Sequence, residues 1–299
     1  TNAEFIITNV QDYHSGTYAV RVSNPLHSSW SSAVLLEVSH AGNSTGDFGS
    51  DGKADIIFQD EEGTLAAWQM ESAGILSASV LDPSKVNDRA YRVAGSADFN
   101  QDGKEDLLFQ HKDGTLAVWF MDGIKLDQAV FLEPSNPGDP NWRVVSAADI
   151  DRDGSADIVF QHDDGTLAVW YLKGTSLKRA TLFDPSTPGD RNWKVVGTGD
   201  FSGDQNVDLV FQRTDGTLAV WLLEATSLKE SRLFSPSNFG TAWRVVSAVD
   251  RNQDGKPDLL FQHTNLDLAV WFMNGTNLKE ARLLEPRNPG GTWKVVAPR

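Results

Sequence analysis

The chain has 299 residues, enough for a large core and a second domain, and its 41 acidic residues exceed its 26 basic ones to give a net charge of −15. This acidity argues against nucleic acid as a partner, because nucleic acids are bound through basic surfaces. The chain also has no run of about 18 apolar residues and no cysteine, so we predict no membrane insertion and exclude disulfides and thiolate metal sites.

Residues 1–40 differ from the rest of the chain and are predicted to be the C-terminal strands of an immunoglobulin-like domain. Residues 5–7, 18–22 and 33–38 have the apolar character of strands. Gly16-x-Tyr18 is similar to the tyrosine corner of that family, in which the hydroxyl bonds the backbone of the preceding turn. Forty residues are too few for a whole sandwich, so we expect a longer, multidomain parent protein.

Residues 41–299 contain a nine-residue pattern that recurs five times, at intervals of 51, 51, 51 and 50 residues. In the copy at 98–106, oxygen-bearing side chains occupy positions 1, 3, 5 and 9, and Gly103 at position 6 allows a sharp turn. A period this regular predicts a repeat fold. The five copies span residues 47–55, 98–106, 149–157, 200–208 and 250–258.

Carboxylates that converge in this way predict calcium sites, because Ca²⁺ takes six to eight oxygen ligands. The pattern opens like an EF-hand loop, but position 12 is Phe109, in an apolar run typical of a strand. We therefore predict calcium loops between β-strands, with up to five structural Ca²⁺ ions. The predicted ligands are Asp47, Asp51, Asp55, Asp98, Asn100, Asp102, Asp106, Asp149, Asp151, Asp153, Asp157, Asp200, Asp204, Asp208, Asp250, Asn252, Asp254 and Asp258.

The five loops are not equally complete. The third carries aspartate at all four liganding positions, whereas the first has Gly49 at position 3. The fourth has Ser202 at position 3 and Gln205 in place of the glycine, so we expect it to bind calcium weakly or not at all. A single loop of this kind could be a solvated turn, but five copies in register favour the metal.

Each repeat is predicted to form four strands. In the third repeat these are residues 142–147, 158–161, 167–171 and about 180–183, with an Asp-Gly hairpin turn at 164–165. The strands are almost continuously apolar, which is typical of sheets covered on both faces, as in the blades of a β-propeller. Residues 293–296 form a first strand with no loop after them, so we predict that they complete the first blade. The predicted fold is an all-β, five-bladed propeller of four-stranded blades, closed by the C-terminal strand.

Residues 46–299 resemble tandem FG-GAP or VCBS-type repeats. The resemblance lies in Asp-Phe-x-x-Asp-Gly-x-x-Asp, then Leu/Ile-Leu-Phe-Gln, then Gly-Thr-Leu-Ala-Val-Trp. It implies bound calcium, a secreted or cell-surface location and a binding role. It implies no particular ligand, since one fold hosts many functions.

A second set of repeated residues is predicted on the face opposite the calcium loops. A tryptophan at the head of a first strand beside an imidazole or guanidinium group offers a sugar a flat apolar surface and hydrogen-bond donors. The predicted ligand-binding residues are Trp142, Trp193, Trp243, Trp293, His111, His162, Arg213 and His263. The alternative is that these tryptophans wedge between blades and that the repeated glutamines 59, 110, 161, 212 and 262 tie neighbouring strands.

Catalysis finds little support, because an active site is usually a single asymmetric constellation and the notable residues here exist in four or five copies. We expect no enzyme. The first hypothesis is a multivalent, lectin-like glycan-binding module, and the alternative is a protein-interaction or adhesion scaffold similar to integrin-type propellers. The expected partner is a glycan or an extracellular or cell-surface protein, bound by a monomeric propeller.

Overall fold

The computed structural model describes residues 16–23, 28–36, 45–71 and 74–299. The chain divides into two compact units, Thr1–Ala41 and Gly42–Arg299, one residue from the predicted boundary. Every regular element in the described part of the chain is a strand, as predicted for an all-β protein. Within these residues no helix is long and apolar enough to cross a membrane.

The described residues of the first unit contain four short strands. They are β1 (Gly16–Tyr18), β2 (Arg21–Ser23), β3 (Ser28–Trp30) and β4 (Val34–Leu36). β1 pairs with β4 and β2 with β3, both antiparallel. The sequence did not predict β3, and the strand predicted at residues 5–7 lies outside the described residues. The assignment to an immunoglobulin-like domain stays a prediction.

The second unit consists of five antiparallel, four-stranded groups, called repeats 1 to 5 below. Repeats 1 and 2 contain β5 (Ile56–Gln59), β6 (Thr64–Glu71), β7 (Gly74–Lys85), β8 (Tyr91–Ala97), β9 (Asp106–His111), β10 (Leu116–Asp122) and β11 (Lys125–Phe131). Repeat 3 contains β12 (Trp142–Ala148), β13 (Asp157–His162), β14 (Leu167–Lys173) and β15 (Ser176–Leu182). Repeats 4 and 5 contain β16 (Trp193–Gly199), β17 (Asp208–Arg213), β18 (Thr217–Glu224), β19 (Ser227–Asn238), β20 (Trp243–Val249), β21 (Asp258–His263), β22 (Leu268–Asn274) and β23 (Asn277–Leu283). The last strand is β24 (Lys294–Ala297).

Strand β24 belongs to repeat 1. It pairs antiparallel with β5, Lys294 opposite Gln59 and Val295 opposite Phe58, so the strand order of repeat 1 is β24-β5-β6-β7. This order matches the first-to-fourth order of the other repeats, for example β12-β13-β14-β15. The C-terminal strand therefore takes the place that the sequence predicted for it.

Each repeat contacts the next through a parallel bridge between the end of its fourth strand and the start of the neighbouring fourth strand. Two bridges merge repeats 1 and 2, and repeats 4 and 5, into eight-stranded sheets. The bridges join Asp82 to Lys125, Glu133 to Ser176, Asp184 to Ser227, Ser235 to Asn277 and Glu285 to Gly74. The fifth bridge leads from repeat 5 back to repeat 1, so the contacts form a closed cycle.

The apolar core lies between the repeats, in five clusters that each draw on two neighbouring repeats. Strand β14 is buried at six consecutive residues, which requires cover on both faces of the sheet. Trp170 on this strand and its counterparts Trp68, Trp119 and Trp221 are buried. Continuous apolar strands in the sequence therefore did indicate sheets packed face to face.

Candidate functional site

The aspartate at position 1 of each loop folds the backbone around itself. In the third loop the amide N–H of Asp153 donates to Asp149 Oδ1 at 3.1 Å, and that of Gly154 donates to Asp149 Oδ2 at 2.8 Å. The bond from the position-6 amide recurs in all five loops at 2.6 to 2.8 Å. The turn that the sequence predicted from spacing is thus held by the side chain that starts it.

The aspartate at position 9 connects its loop to the third strand of the repeat. The Leu172 N–H, at a bulge in β14, donates to Asp157 Oδ1, and the Ile150 N–H donates to Asp157 Oδ2, both at 3.0 Å. The bond to the third strand recurs in all five repeats. Asp157 is fully buried. Position 9 was predicted only as a metal ligand, whereas it also satisfies two buried backbone amides.

The third loop fits a calcium ion best. One oxygen each from Asp149, Asp151 and Asp153 lies within 4.8 Å of the others. Asp151 Oδ1 is buried and accepts no hydrogen bond. A buried carboxylate oxygen without a partner is costly, and hard oxygen donors are what Ca²⁺ prefers. Asp157 lies outside this close group, so the predicted set of four is brought together only in part.

Basic side chains from the fourth strand reach the loops. Lys178 forms an ion pair with Asp153, and Arg179 Nη2 lies 3.6 Å from Asp151 Oδ2. The counterparts of Lys178 in repeats 4 and 5 pair with position 5 as well, Lys229 with Asp204 at 3.6 Å and Lys279 with Asp254 at 3.1 Å. Sequence analysis missed these lysines. Their signal was a lysine at a constant place in the fourth strand of three repeats.

Burial raises the pKa of the inner carboxyl groups. The pKa of Asp55, Asp106 and Asp157 rises to about 7, and that of Asp208 and Asp258 to about 6. Burial is the largest cause in each case, with repulsion from nearby carboxylates adding to it. A divalent cation would reverse this effect, since an adjacent positive charge favours the ionised form.

The fourth loop keeps the backbone geometry of the others. Gln205 adopts a φ of +68° in place of glycine, and its N–H still donates to Asp200 Oδ2, at 2.7 Å. Ser202 Oγ donates to Asp200 Oδ1 at 3.2 Å. The substitution therefore imposes a left-handed conformation on a non-glycine residue without opening the loop. Weak calcium binding by this loop stays a prediction.

The repeated tryptophans are half-buried, pack against the apolar clusters between repeats, and stack with the cross-strand histidine of their own repeat in repeats 3 and 5. The Trp142 ring lies 5.0 Å from that of His162, its cross-strand partner, and the Trp243 and His263 rings are 4.7 Å apart. Both His162 ring nitrogens face carboxylates, Asp164 at 2.9 Å and Asp139 at 3.3 Å. The predicted tryptophan–histidine pairs thus exist, but both ring nitrogens of His162 already have partners.

The repeated glutamines connect neighbouring repeats. Gln161 Nε2 donates to the Trp193 carbonyl at 3.0 Å, and the Val195 N–H donates to Gln161 Oε1 at 3.1 Å. Gln262 makes the same two bonds to Trp293 and Val295, which joins repeat 5 to repeat 1. The same arrangement is found for Gln59, Gln110 and Gln212. These buried side chains hold the fold together, as the alternative interpretation predicted.

One cavity does join a predicted tryptophan to the neighbouring hairpin. It measures about 280 Å³ and lies between repeats 4 and 5. Its lining includes Trp243, Arg213, Thr241, Arg244 and Lys194. A flat ring edged by hydroxyl and cationic groups is compatible with a hydroxylated ligand.

The outer strands carry a feature that sequence analysis missed. A large apolar residue opposite an alanine of the third strand is exposed in every repeat. These residues are 46% to 63% exposed. They are Val80, Phe131, Leu182, Leu233 and Leu283.

Comparison with known proteins matches the FG-GAP-like repeat to residues 98–160, 149–211 and 200–261. Among solved structures, Chaetomium thermophilum Raptor matches at 13% identity and a TM-score of 0.40, over 76% of this chain and 20% of that chain. No match is found among curated proteins. The family matches extend over more than half of the chain, and the chain therefore belongs to the FG-GAP-like repeat family, with an all-β, propeller-type fold.

Proposed function

We propose that this protein is a non-catalytic scaffold, a calcium-loaded propeller of five blades that binds other proteins through its outer strands. The observation that carries the proposal is the exposed apolar residue at one register position of all five outer strands. Single exposed apolar side chains need no explanation, but a set repeated in register favours an interaction surface.

Five blades are supported by the cycle of contacts between the repeats. Each repeat is joined to two neighbours by a strand bridge and a glutamine, including repeat 5 to repeat 1 through β24. A propeller is the arrangement in which four-stranded sheets pack face to face around a ring.

Calcium is proposed as the structural ion of the loops. Asp149, Asp151 and Asp153 would hold it in the third loop, where the oxygens already converge. Bound ions would relieve repulsion between buried carboxylates, and they would leave the outer strands free for a partner. Because calcium-loop repeats of this family are commonly extracellular, we infer a secreted or cell-surface location and an extracellular protein as partner.

The proposal is tested by probing the full chain, in calcium, against arrays of extracellular proteins and of immobilised polysaccharides. We expect protein binding that is lost in Phe131→Ser/Leu182→Ser/Leu233→Ser and retained in Trp243→Ala, with melting temperatures checked for both variants. Protein binding that the triple variant leaves intact would contradict the outer-strand surface.

Glycan binding remains a second candidate function because of the cavity at Trp243 and Arg213. If it holds, the polysaccharide array gives a signal that Trp243→Ala removes and the triple outer-strand variant does not. Several equivalent sites would then multiply weak single contacts through effective concentration. A silent polysaccharide array excludes this candidate.

A further inference from the structure

Repeat 4 has a cavity with aromatic walls beside its exposed outer-strand residue, and Arg232 and Ser231 also line it. The cavity measures about 230 Å³ and opens between the outer strand and the connection that leads into the repeat. Trp193, Phe211 and Trp221 supply aromatic walls, Pro188 closes one side, and Leu233 lies on the outer strand. Two tryptophans that face one small space offer their rings to an apolar group.

Repeat 1 has the same cavity, built from the corresponding residues. It measures about 220 Å³, and Trp293, Phe58 and Trp68 supply its aromatic walls. Pro289 stands where repeat 4 has Pro188, and Val80 where it has Leu233. The aromatic walls and the proline recur at equivalent positions, whereas Arg232 of repeat 4 stands where repeat 1 has Ser79.

Repeat 5 shows which group fits this space. Its connection carries Phe239 where the other two repeats carry proline. The Phe239 ring is half-buried and lies 4.6 Å from Phe261 and 4.7 Å from Trp271, nearly perpendicular to the first. Phe261 and Trp271 correspond to Phe211 and Trp221 of repeat 4. The chain therefore uses its own phenylalanine to fill the space that is open in repeats 1 and 4.

We propose that the cavities of repeats 1 and 4 bind an aromatic side chain of a partner polypeptide. An apolar cavity of about 150 Å³ is enough to hold a benzene ring, so both spaces are large enough. The edge-to-face contact seen at Phe239 is a preferred geometry for aromatic rings. This inference rests on the proposed function and specifies it, since Leu233 and Val80 extend the aromatic walls into the exposed apolar surface.

The test uses the full chain and a small probe, N-acetyl-4-fluorophenylalanine amide, followed by ¹⁹F NMR titration. We expect saturable binding to the parent protein. Pro188→Phe/Pro289→Phe places a ring in the cavities of repeats 1 and 4 and should lower binding at these two sites by about tenfold or more, which corresponds to a loss of at least 1.4 kcal/mol. Phe239→Pro opens the corresponding space of repeat 5 and should raise the number of sites by one. Circular dichroism and melting temperature verify the fold of each variant.

Two comparisons complete the design. N-acetyl-leucine amide should bind much more weakly than the aromatic probe, and methyl glycosides should not compete with it. The inference is overturned if the parent binds no probe, if filling the cavities leaves binding unchanged, or if a methyl glycoside competes equally. Protein binding through the outer strands with no aromatic binding would refute this inference alone. Aromatic binding with a silent protein array would refute the proposed function alone.

Discussion

Replacing Asp157 by alanine should destabilise the protein even without calcium, and it should do so more than replacing Asp153. Asp157 is fully buried and accepts bonds from the Ile150 and Leu172 amides. Each buried donor left unpaired costs about 1–3 kcal/mol, so Asp157→Ala should lose roughly 2–6 kcal/mol at pH 5, where the folded protein holds this carboxyl protonated and its buried charge does not offset the loss. In a unit of this size that lowers the melting temperature by about 5–20 °C. Asp153 is exposed and accepts from Lys178 and from the amide of the buried Ser155, so its removal leaves one buried donor unpaired and should cost about 1–3 kcal/mol.

The assay is thermal and urea unfolding of both variants and the parent, in excess chelator and in excess Ca²⁺. In chelator Asp157→Ala should fall further below the parent than Asp153→Ala. In calcium both variants should also lose the contribution of the third loop, about 2.7 kcal/mol at a hundredfold excess over the dissociation constant. An Asp157→Ala protein as stable as the parent in chelator would refute the structural role of position 9. An unchanged calcium increment in Asp153→Ala would refute the metal site.

Three further outcomes are expected. In chelator the free energy of unfolding should rise as the pH falls from 7 towards 5. The reason is that the folded-state pKa of Asp157, about 7, lies above its ordinary value, so the folded protein binds that proton more tightly than the unfolded chain does. A free energy of unfolding that rises with pH over the same range would contradict this. Deleting residues 293–299 should lower the melting temperature far more than deleting residues 1–35, since β24 pairs inside repeat 1; equal melting would show that β24 is dispensable. Gln205→Gly should stabilise the protein in chelator by about 1 kcal/mol, because glycine adopts the left-handed conformation without strain. Gln205→Asn should be intermediate, and urea unfolding measures both. A loss of stability would show that the contact of Gln205 with Arg152 matters more.

The features that the sequence predicts well are those set within one repeat. The spacing from Asp149 to Asp157 specifies the loop turn, and the apolar run after it specifies a buried strand. Five copies in register made both predictions robust to single departures such as Gln205. The place of residues 293–296 was predictable for the same reason, because a first strand without its own repeat has one vacant position to fill.

The features that the sequence predicts poorly depend on contacts that the repeated pattern does not record. The partners of Gln161 are Trp193 and Val195, so spacing could not decide between a ligand-binding amide and a connecting one. Position 9 looked like one more metal ligand because the strand bulge that it bonds leaves no mark in the sequence. Leu233 is exposed because it lies on an outer strand. From the sequence alone, an apolar residue in a strand is predicted to belong to the core.

The closed cycle of contacts has a consequence for local unfolding. In a linear repeat array the terminal repeats have one neighbour each, so such arrays fray from their ends and need polar caps. Here Gln262, the Glu285–Gly74 bridge and β24 give repeats 1 and 5 two neighbours each. No repeat is then the weakest by position, and opening any one of them must disrupt two interfaces at once. Such a molecule should resist proteases and tension as a whole.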